Sequence, residues 1–247
     1  MPDHARAAVM TAPNANLELR SYPLPRVEAG CVLVRVTCCT ICKSDLLSWT
    51  GARPSPVPVI LGHEIVGEIV TLGKGVTHDA GDQPLAEGDR ITWTIMDSCG
   101  RCYHCRELGL MMKCRRLHKY GHDACDQPPH FQGGFAEYCL LTPGTCMVKL
   151  PDDLADALAA PANCAVATIM SGWEAADLRP RERVLIQGAG GLGCYATAAA
   201  AHAGCRQVVV TDVDDTRLSR VMRFGATHTI NVSGLRDSDV ARSEESR

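Results

Sequence analysis

The stretch that decides the fold runs from Val184 to Asp212 and reads VLIQGAGGLGCYATAAAAHAGCRQVVVTD. A short apolar run, Val184–Ile186, leads into a glycine-rich loop, and small helix-favouring residues follow the loop. A second apolar run, Val208–Val210, ends two residues before the Asp212 carboxylate. Apolar runs of this length on either side of a helical segment predict a strand, a helix and a second, parallel strand.

The glycines of this loop have the spacing that dinucleotide binding requires. Gly188 permits a tight turn out of the strand, Gly190 lets the backbone approach a pyrophosphate, and Gly193 lets helix and strand pack closely. The free N–H groups at the start of the helix favour phosphates. Asp212 lies 19 residues after Gly193, where a carboxylate can accept hydrogen bonds from both ribose hydroxyls. The pattern predicts a dinucleotide site, and the alternative is a strand–helix turn with incidental glycines.

The composition is ordinary for a globular protein. The 247 residues are 46% hydrophobic and 21% charged, and the formal net charge is −3. This charge gives no electrostatic reason for binding nucleic acid or an anionic membrane, and aromatic residues, at 4%, are few for base stacking. The N-terminus lacks a signal-peptide pattern, and no stretch reaches the roughly 18 apolar residues of a membrane span. We therefore expect a cytoplasmic protein without nucleic-acid or membrane partners.

Two regions of different character follow one another along the chain. Short β-prone runs separated by glycine and proline turns fill the first 150 residues and predict a partly open β-barrel. These runs are Ala5–Thr11, Leu17–Ser21, Cys31–Cys38, Val66–Leu72, Arg90–Thr94, Phe135–Leu141 and Met147–Lys149.

Beyond Pro151 the pattern changes to helices and then to alternating strands and helices. Two alanine-rich stretches, Asp152–Ala160 and Ala165–Ala175, predict helices. The alternation that follows predicts a parallel βαβαβ unit with elements at Val184–Ile186, Leu192–Ala203, Gln207–Thr211, Asp215–Phe224 and Thr229–Val232. We expect an α/β protein with a β-rich part: a first domain over 1–168, a nucleotide-binding portion over 169–232 and a disordered polar tail over 233–247.

Four of the 14 cysteines are grouped at metal-ligand spacing. Cys99, Cys102, Cys105 and Cys114 form the pattern C-x2-C-x2-C-x8-C, which lets one loop direct four thiolates at a single ion. Four thiolates close a tetrahedral shell, so a zinc ion here has a structural role. Ligation of an iron–sulfur cluster and free cysteines are the alternatives, although the proline expected after the last cysteine of a ferredoxin-type run is absent.

A second candidate metal site is scattered along the chain. Cys42, His63 and Cys164 match the Cys₂His ligand set of a catalytic zinc ion with water in the fourth position. Taken alone, each residue also has an ordinary interpretation as a buried cysteine or a structural histidine. Spacing therefore leaves joint ligation open.

The motifs together resemble the zinc-dependent medium-chain alcohol dehydrogenase family, in which a GroES-like domain is joined to a Rossmann domain. The resemblance covers roughly residues 5 to 232 and rests on motifs in the order that the family has them. They are Cys42-x-Ser44-Asp45, Gly62-His63-Glu64-Ile65-Val66-Gly67, Gly88-Asp89-Arg90, the four cysteines, Gly133-Gly134-Phe135-Ala136-Glu137-Tyr138 and the GAGGLG loop.

The resemblance implies a catalytic zinc ion held by Cys42, His63 and Cys164, with Glu64 as a transient ligand or nearby acid. It implies that Asp45 orients His63 through the second ring nitrogen. Ser44 is then the residue that hydrogen-bonds the substrate oxygen and begins a proton relay. With the four-cysteine site, this amounts to two zinc ions per chain.

For the cofactor, the resemblance implies NAD, because an acid at Asp212 repels the 2′-phosphate of NADP. Lys43 resembles the basic residue that reaches the pyrophosphate, Thr168 the residue beside the nicotinamide, and Arg217 a residue that flanks the adenosine ribose. The phosphate loop consists of Gly188, Gly190, Gly191, Leu192 and Gly193. The expected partner is a small alcohol or aldehyde, and family members are usually homo-oligomers. The sequence is also similar to a subgroup associated with phosphonate catabolism and to threonine- and sorbitol-type enzymes.

Three features depart from the family pattern. The last gap between the four cysteines has eight residues where seven are usual, and Leu47 stands where some members have a relay histidine. Only one of the two βαβαβ halves is present, so we expect a truncated or frame-shifted product, with a natural short form as the alternative. The edge strand through which family members form oligomers is then missing. The alternative to an active dehydrogenase is a zinc-binding fragment that does not hold NAD productively.

Overall fold

The computed structural model describes residues 2–235, and the polar tail predicted over 233–247 lies outside them from residue 236 onward. The chain forms two compact units, Met1–Cys164 and Ala165–Arg247. The prediction of an α/β protein with a β-rich N-terminal part is confirmed.

The N-terminal unit is built mainly from eight strands. They are β1 (His4–Met10), β2 (Glu18–Pro23), β3 (Val32–Thr40), β4 (Val59–Ile60), β5 (Glu64–Leu72), β6 (Arg90–Trp93), β7 (Tyr138–Leu141) and β8 (Met147–Lys149). An antiparallel sheet has the order β7-β3-β5-β6-β8, and a smaller one has the order β2-β1-β4. The larger sheet packs over fully buried apolar side chains, among them Val34, Ile65, Ile91 and Leu141.

Three short helices accompany these strands, two between them and one after β8. They are α1 (Lys43–Trp49), α2 (Tyr103–Arg106) and α3 (Asp156–Ala159). The sequence analysis missed α1, α2 and the two-residue strand β4, because segments this short carry no readable periodicity. The helix predicted over Asp152–Ala160 is shorter than expected and is followed by a 3₁₀ turn at Ala160–Asn163. Pro161 lies at the start of that turn, a position where the missing N–H of proline costs no hydrogen bond, and Cys164 follows the turn.

The C-terminal unit alternates helices and strands. Its elements are α4 (Ala165–Ala175), β9 (Arg183–Gln187), α5 (Gly191–His202), β10 (Gln207–Asp212), α6 (Asp215–Met222) and β11 (His228–Asn231). The three strands are parallel in the order β11-β10-β9, and Val208 and Val210 of the central strand are buried beneath α5 and α6. This is the predicted βαβαβ unit. Within residues 2–235, none of the helices has the length and apolar content needed to cross a membrane.

Candidate metal and cofactor sites

The N-terminal unit brings together the scattered ligands predicted from the sequence. Cys42 precedes α1, His63 and Glu64 lie at the start of β5, and Cys164 follows the 3₁₀ turn. One ligand atom from each of these four residues, here called the mixed cluster, lies within 4.8 Å of every other. The His63 side chain is 1% exposed and Glu64 is also buried, so the cluster lies within the fold.

Asp45 fixes the orientation of His63. The histidine Nδ1 lies 3.2 Å from Asp45 Oδ1, and this leaves Nε2 directed toward the cluster, 3.2 Å from Ser44 Oγ. The backbone N–H groups of Cys42 and Gly62 also donate to the Asp45 carboxylate, at 2.8 and 3.2 Å. Burial opposes ionisation of this carboxyl, but the hydrogen bonds outweigh burial and lower the pKa of Asp45. An ionised Asp45 therefore holds the imidazole in one tautomer.

The remaining members of the mixed cluster are anionic or become so on ionisation. Burial, together with the neighbouring Cys42 and Glu64, raises the pKa of the Cys164 thiol to about 12. Glu64 Oε2 accepts a hydrogen bond of 2.6 Å from Thr40 Oγ1. Two thiolates and a carboxylate crowded around an imidazole nitrogen repel one another when ionised, and a divalent cation offsets that repulsion. The donor set fits zinc, which binds thiolate, imidazole and carboxylate ligands.

The sequence analysis missed Asn163, a residue that supports this cluster. Asn163 Nδ2 donates to the carbonyl oxygens of His63, at 2.9 Å, and of Trp93, at 2.7 Å. These bonds connect the residue before Cys164 to the strands β5 and β6. Its only sequence signal is its position next to Cys164.

A second missed feature is an arginine–histidine pair near the cluster. Arg53 Nη2 lies 2.9 Å from His122 Nε2, and the His122 ring centroid is 5.2 Å from that of His63. Burial lowers the pKa of His122 to about 4, and the nearby charges of Lys119 and Arg53 act in the same direction. His122 is therefore neutral near pH 7 and accepts the hydrogen bond from Arg53.

The four predicted cysteine ligands, Cys99, Cys102, Cys105 and Cys114, also converge, and they are called the four-cysteine cluster below. Their sulfurs lie within 4.8 Å of one another, so the extra residue in the last gap does not separate Cys114 from the others. The backbone N–H groups of Cys99 and Arg116 both donate to Cys114 Sγ at 3.3 Å. Backbone N–H groups, first that of Arg115, lower the pKa of Cys102 to about 5. Donors of this kind stabilise thiolates, the form that binds zinc.

In the C-terminal unit, the glycine loop connects β9 to α5. Gly188 has a φ of +100°, which lets the chain turn out of the strand. A Cβ on Gly193 would lie 1.9 Å from the Gly188 carbonyl oxygen, so the close packing of helix and strand requires glycine there. At Gly190 and Gly191 a Cβ would meet no atom within 4 Å, and α5 begins without a side-chain cap. The open loop and the uncapped N–H groups fit a phosphate group.

Asp212, at the end of β10, contacts the same loop. Its carboxylate accepts hydrogen bonds from the backbone N–H of Ala189 at 2.7 Å, of Val213 at 2.8 Å and of Asp214 at 3.0 Å. These bonds, first that from Ala189, lower the pKa of Asp212. Arg217 Nη1 lies 4.0 Å from Asp212 Oδ2. Asp212 thus holds the loop in place while it carries a full negative charge.

Three further predicted residues are exposed. Lys43 is the first residue of α1, Leu192 lies in the first turn of α5, and Thr168 lies on α4. Lys43 belongs to the N-terminal unit, and the other two belong to the C-terminal unit. Their cofactor roles remain predictions.

The comparisons with known proteins agree with these features. The profile of the alcohol dehydrogenase GroES-like domain matches residues 28–152. L-Threonine 3-dehydrogenase of Sinorhizobium fredii is 34% identical over 251 residues, which cover 98% of this chain and 67% of that enzyme. An alcohol dehydrogenase from Thermotoga maritima has a TM-score of 0.90 at 28% identity, with 97% of this chain and 66% of that structure covered.

A third relative was solved with a cofactor. Acetophenone reductase from Geotrichum candidum in complex with NAD has a TM-score of 0.80 at 29% identity, with coverage of 96% of this chain and 66% of that structure. The chain spans about two thirds of the length of these relatives. The chain belongs to the zinc-dependent medium-chain alcohol dehydrogenase family, a family of oxidoreductases.

Proposed function

We propose that the protein is a zinc-dependent alcohol dehydrogenase that transfers hydride from an alcohol to NAD. The mixed cluster is the observation that carries this proposal. Cys42, His63 and Cys164 are the Cys₂His set of a catalytic zinc site, and Glu64 lies within the same 4.8 Å. The names of the relatives, a threonine dehydrogenase and an alcohol dehydrogenase, support oxidation of a CH–OH group.

Cys42, His63 and Cys164 would hold the zinc ion, with Glu64 as an additional ligand. When bound there, zinc supplies Lewis-acid polarisation of a substrate oxygen. Asp45 keeps the proton on His63 Nδ1, so Nε2 is free to bind the metal. Asn163 anchors the segment before Cys164 through its bond to the His63 carbonyl oxygen, which keeps these two ligands at a fixed separation.

Ser44 would accept the proton of the alcohol. Its Oγ lies 3.2 Å from His63 Nε2 and therefore beside the metal ligands. A hydroxyl in this position accepts the proton of the substrate hydroxyl and passes one of its own outward. Leu47, in the next turn of α1, cannot continue this relay, because its side chain is apolar. Proton release from Ser44 thus goes directly to water or through a group outside α1.

The four-cysteine cluster would hold a structural zinc ion. Four thiolates leave no open position for a substrate, so this ion stabilises its loop. The short segment between Cys99 and Cys114 has little regular structure, only α2 and the 3₁₀ turn Met111–Lys113. Because this segment has no strand ladder to hold it, a metal ion that cross-links the four cysteines would fix its conformation.

NAD would bind at the loop of the C-terminal unit. Gly188, Gly190, Gly191 and Gly193, with Leu192 among them, would surround the pyrophosphate at the start of α5. The ionised Asp212 would accept hydrogen bonds from the ribose hydroxyls and disfavour a 2′-phosphate, with Arg217 alongside. Lys43 and Thr168 would contact the pyrophosphate and the nicotinamide, as the family resemblance implies. The NAD complex of the reductase from Geotrichum candidum supports a nicotinamide dinucleotide, and the preference for NAD over NADP rests on Asp212.

The decisive experiment measures zinc content and alcohol-dependent reduction of NAD on the full chain. We expect two zinc ions per chain and NADH formation with a primary or secondary alcohol, faster with NAD than with NADP. Cys164→Ser should lose one zinc ion and the reaction, whereas Cys146→Ser, a matched change at an exposed cysteine, should lose neither. Two zinc ions without NADH formation would favour the alternative of a zinc-binding fragment without activity.

A further inference from the structure

Arg53 lies beside Ser44, and in the described part of the chain its guanidinium has no carboxylate partner. Its Nη2 donates to the Ser44 carbonyl oxygen at 3.0 Å and to Ser48 Oγ at 2.6 Å, and its Nε donates to Ser48 Oγ at 3.2 Å. Among the ion pairs of residues 2–235, none includes Arg53. All its acceptors are neutral, so no ion pair within the described residues neutralises its charge.

One nitrogen of this guanidinium is available to a ligand. A guanidinium carries five N–H donors, and the contacts of Arg53 use only Nε and Nη2. Nη1 has no protein acceptor within the described part of the chain, and it is not one of the buried polar atoms without a partner. Nη1 is therefore in contact with solvent, although the Arg53 residue as a whole is half-buried.

The surroundings hold the guanidinium in one orientation. His122 Nδ1–H donates to the Tyr120 carbonyl oxygen at 2.8 Å, which leaves Nε2 as the acceptor for Arg53 Nη2. His122 in turn contacts His63, with 5.2 Å between the ring centroids. Arg53 is thus held by Ser48, the Ser44 carbonyl oxygen and His122, and His122 contacts His63 of the mixed cluster.

We propose that Arg53 is a specificity-determining residue that binds an oxyanion on the substrate, so that the alcohol is a short-chain hydroxy compound with a carboxylate or phosphonate group. This inference rests on the proposed function for the identity of the reacting hydroxyl. A guanidinium whose Nη1 is free can donate a charge-assisted hydrogen bond to an oxyanion, and partial burial strengthens such a bond.

The geometry also limits the length of the substrate. Ser44 contacts both ends of the arrangement, since its carbonyl oxygen accepts from Arg53 while its Oγ lies 3.2 Å from His63 Nε2. Because Arg53 and the mixed cluster both contact Ser44, we expect the oxyanion and the hydroxyl of one ligand to be only a few bonds apart. Compounds of the form HO–CH₂–CH₂–X satisfy this condition.

The test compares three ligands that differ only in X: 1-propanol, 3-hydroxypropionate and 2-hydroxyethylphosphonate. Dissociation constants are measured by ligand-observed NMR on the zinc-loaded full chain, for the wild type, Arg53→Gln and Arg53→Lys. The control is Arg35→Gln, because Arg35 pairs with Glu68 on the surface of the β3–β5 ladder. Far-UV circular dichroism checks that each variant is folded.

We expect the wild type to bind at least one of the anionic compounds about tenfold or more tightly than 1-propanol, as a charge-assisted pair provides. The tighter of the two identifies the anionic group. Arg53→Gln should lose this preference with little effect on 1-propanol, Arg53→Lys should keep part of it, and Arg35→Gln should keep all of it. Added salt should weaken only the anionic ligands.

Equal affinity of the wild type for all three compounds, or an Arg53→Gln effect that is the same for each, would overturn the proposal and leave Arg53 a structural role. If Arg53→Gln does not fold, the wild-type preference, its salt dependence and Arg53→Lys still decide. The measurement needs no hydride transfer. NADH formation from 1-propanol without anion preference would therefore refute this inference alone, and anion preference without any NADH formation would refute only the proposed function.

Discussion

The two ligand clusters of the N-terminal unit differ in how the sequence encodes them. The four-cysteine cluster comes from 16 consecutive residues, Cys99 to Cys114, and its spacing can be read directly. The mixed cluster joins Cys42 to Cys164, 122 positions apart, and exists only because the sheet brings β5 next to α1 and the 3₁₀ turn. A local motif can therefore be identified without the fold, whereas a long-range site cannot.

The surroundings of the clusters differ in the same way. His63 and Glu64 are buried and are supported by Asp45 and Thr40 from two other segments. The four-cysteine cluster is supported by backbone N–H groups of its own loop, such as those of Cys99 and Arg116. We expect the mixed cluster to depend on the fold for its geometry, and the loop of the four-cysteine cluster to depend on its metal.

The largest expected effect is on the reaction rate, which should depend on the mixed cluster much more than on the four-cysteine cluster. Cys42→Ser should lower the rate of alcohol-dependent NADH formation by about a thousandfold or more, because a Lewis-acid metal supplies several kcal/mol of transition-state stabilisation. Cys102→Ser should leave most of the rate at a temperature where the variant is folded. Steady-state kinetics with zinc analysis of each variant measure both. Equal losses of rate would remove the functional distinction between the clusters.

The second expected effect is on thermal stability, where Cys102→Ser should have the larger effect and Cys42→Ser the smaller. Cys102→Ser should lower Tm by about 5–10 °C, because a loop without a strand ladder loses its cross-link. Cys42→Ser should lower Tm by less, since the sheet holds the segments of the mixed cluster in place. Thermal melting followed by circular dichroism, with and without a chelator, measures the difference. A larger Tm loss in Cys42→Ser would reverse the assignment of structural and catalytic roles.

A third test addresses the supports of the mixed cluster. Asp45→Asn should weaken zinc binding there by about 10- to 100-fold, because the amide no longer fixes the His63 tautomer. The four-cysteine site should be unaffected. Competition with a chelator gives the two affinities separately. Asp79→Asn is the matched control, because Asp79, like Asp45, accepts hydrogen bonds from backbone N–H groups but lies outside both clusters.

Local elements could be predicted from the sequence, whereas contacts between distant residues could not. The β9–α5–β10 unit and most strands were predictable, since short apolar runs such as Val208–Val210 are bounded by turn residues or by a helical segment. Spacing alone left the ligation by Cys42, His63 and Cys164 open, and the order of the family motifs was needed to propose it. Nothing in the sequence indicated the contact of Arg53 with His122, which are 69 positions apart. Their contact depends on two loops whose paths have no periodic signal.

The smallest expected effect concerns Asp212, which belongs, like the four-cysteine cluster, to a motif that can be read from neighbouring residues of the sequence. The motif predicts a ribose contact for this residue, yet its carboxylate also accepts three backbone N–H bonds that hold the glycine loop. Asp212→Ala should therefore weaken both cofactors through the loop. It should weaken NAD more, by about tenfold, because only NAD loses a ribose hydrogen bond to a charged acceptor while NADP is relieved of repulsion.

Asp214→Ala is the matched control for this change. Asp214 caps α6 by accepting from the backbone N–H groups of Thr216 and Arg217, so its loss costs about 1 kcal/mol of stability without touching the glycine loop. Dissociation constants for NADH and NADPH, measured by fluorescence, should keep their wild-type ratio in Asp214→Ala and shift toward NADPH in Asp212→Ala. If the ratio of the NADH and NADPH dissociation constants stays constant in both variants, Asp212 only holds the glycine loop. The ribose contact that the sequence motif predicts for Asp212 would then be wrong.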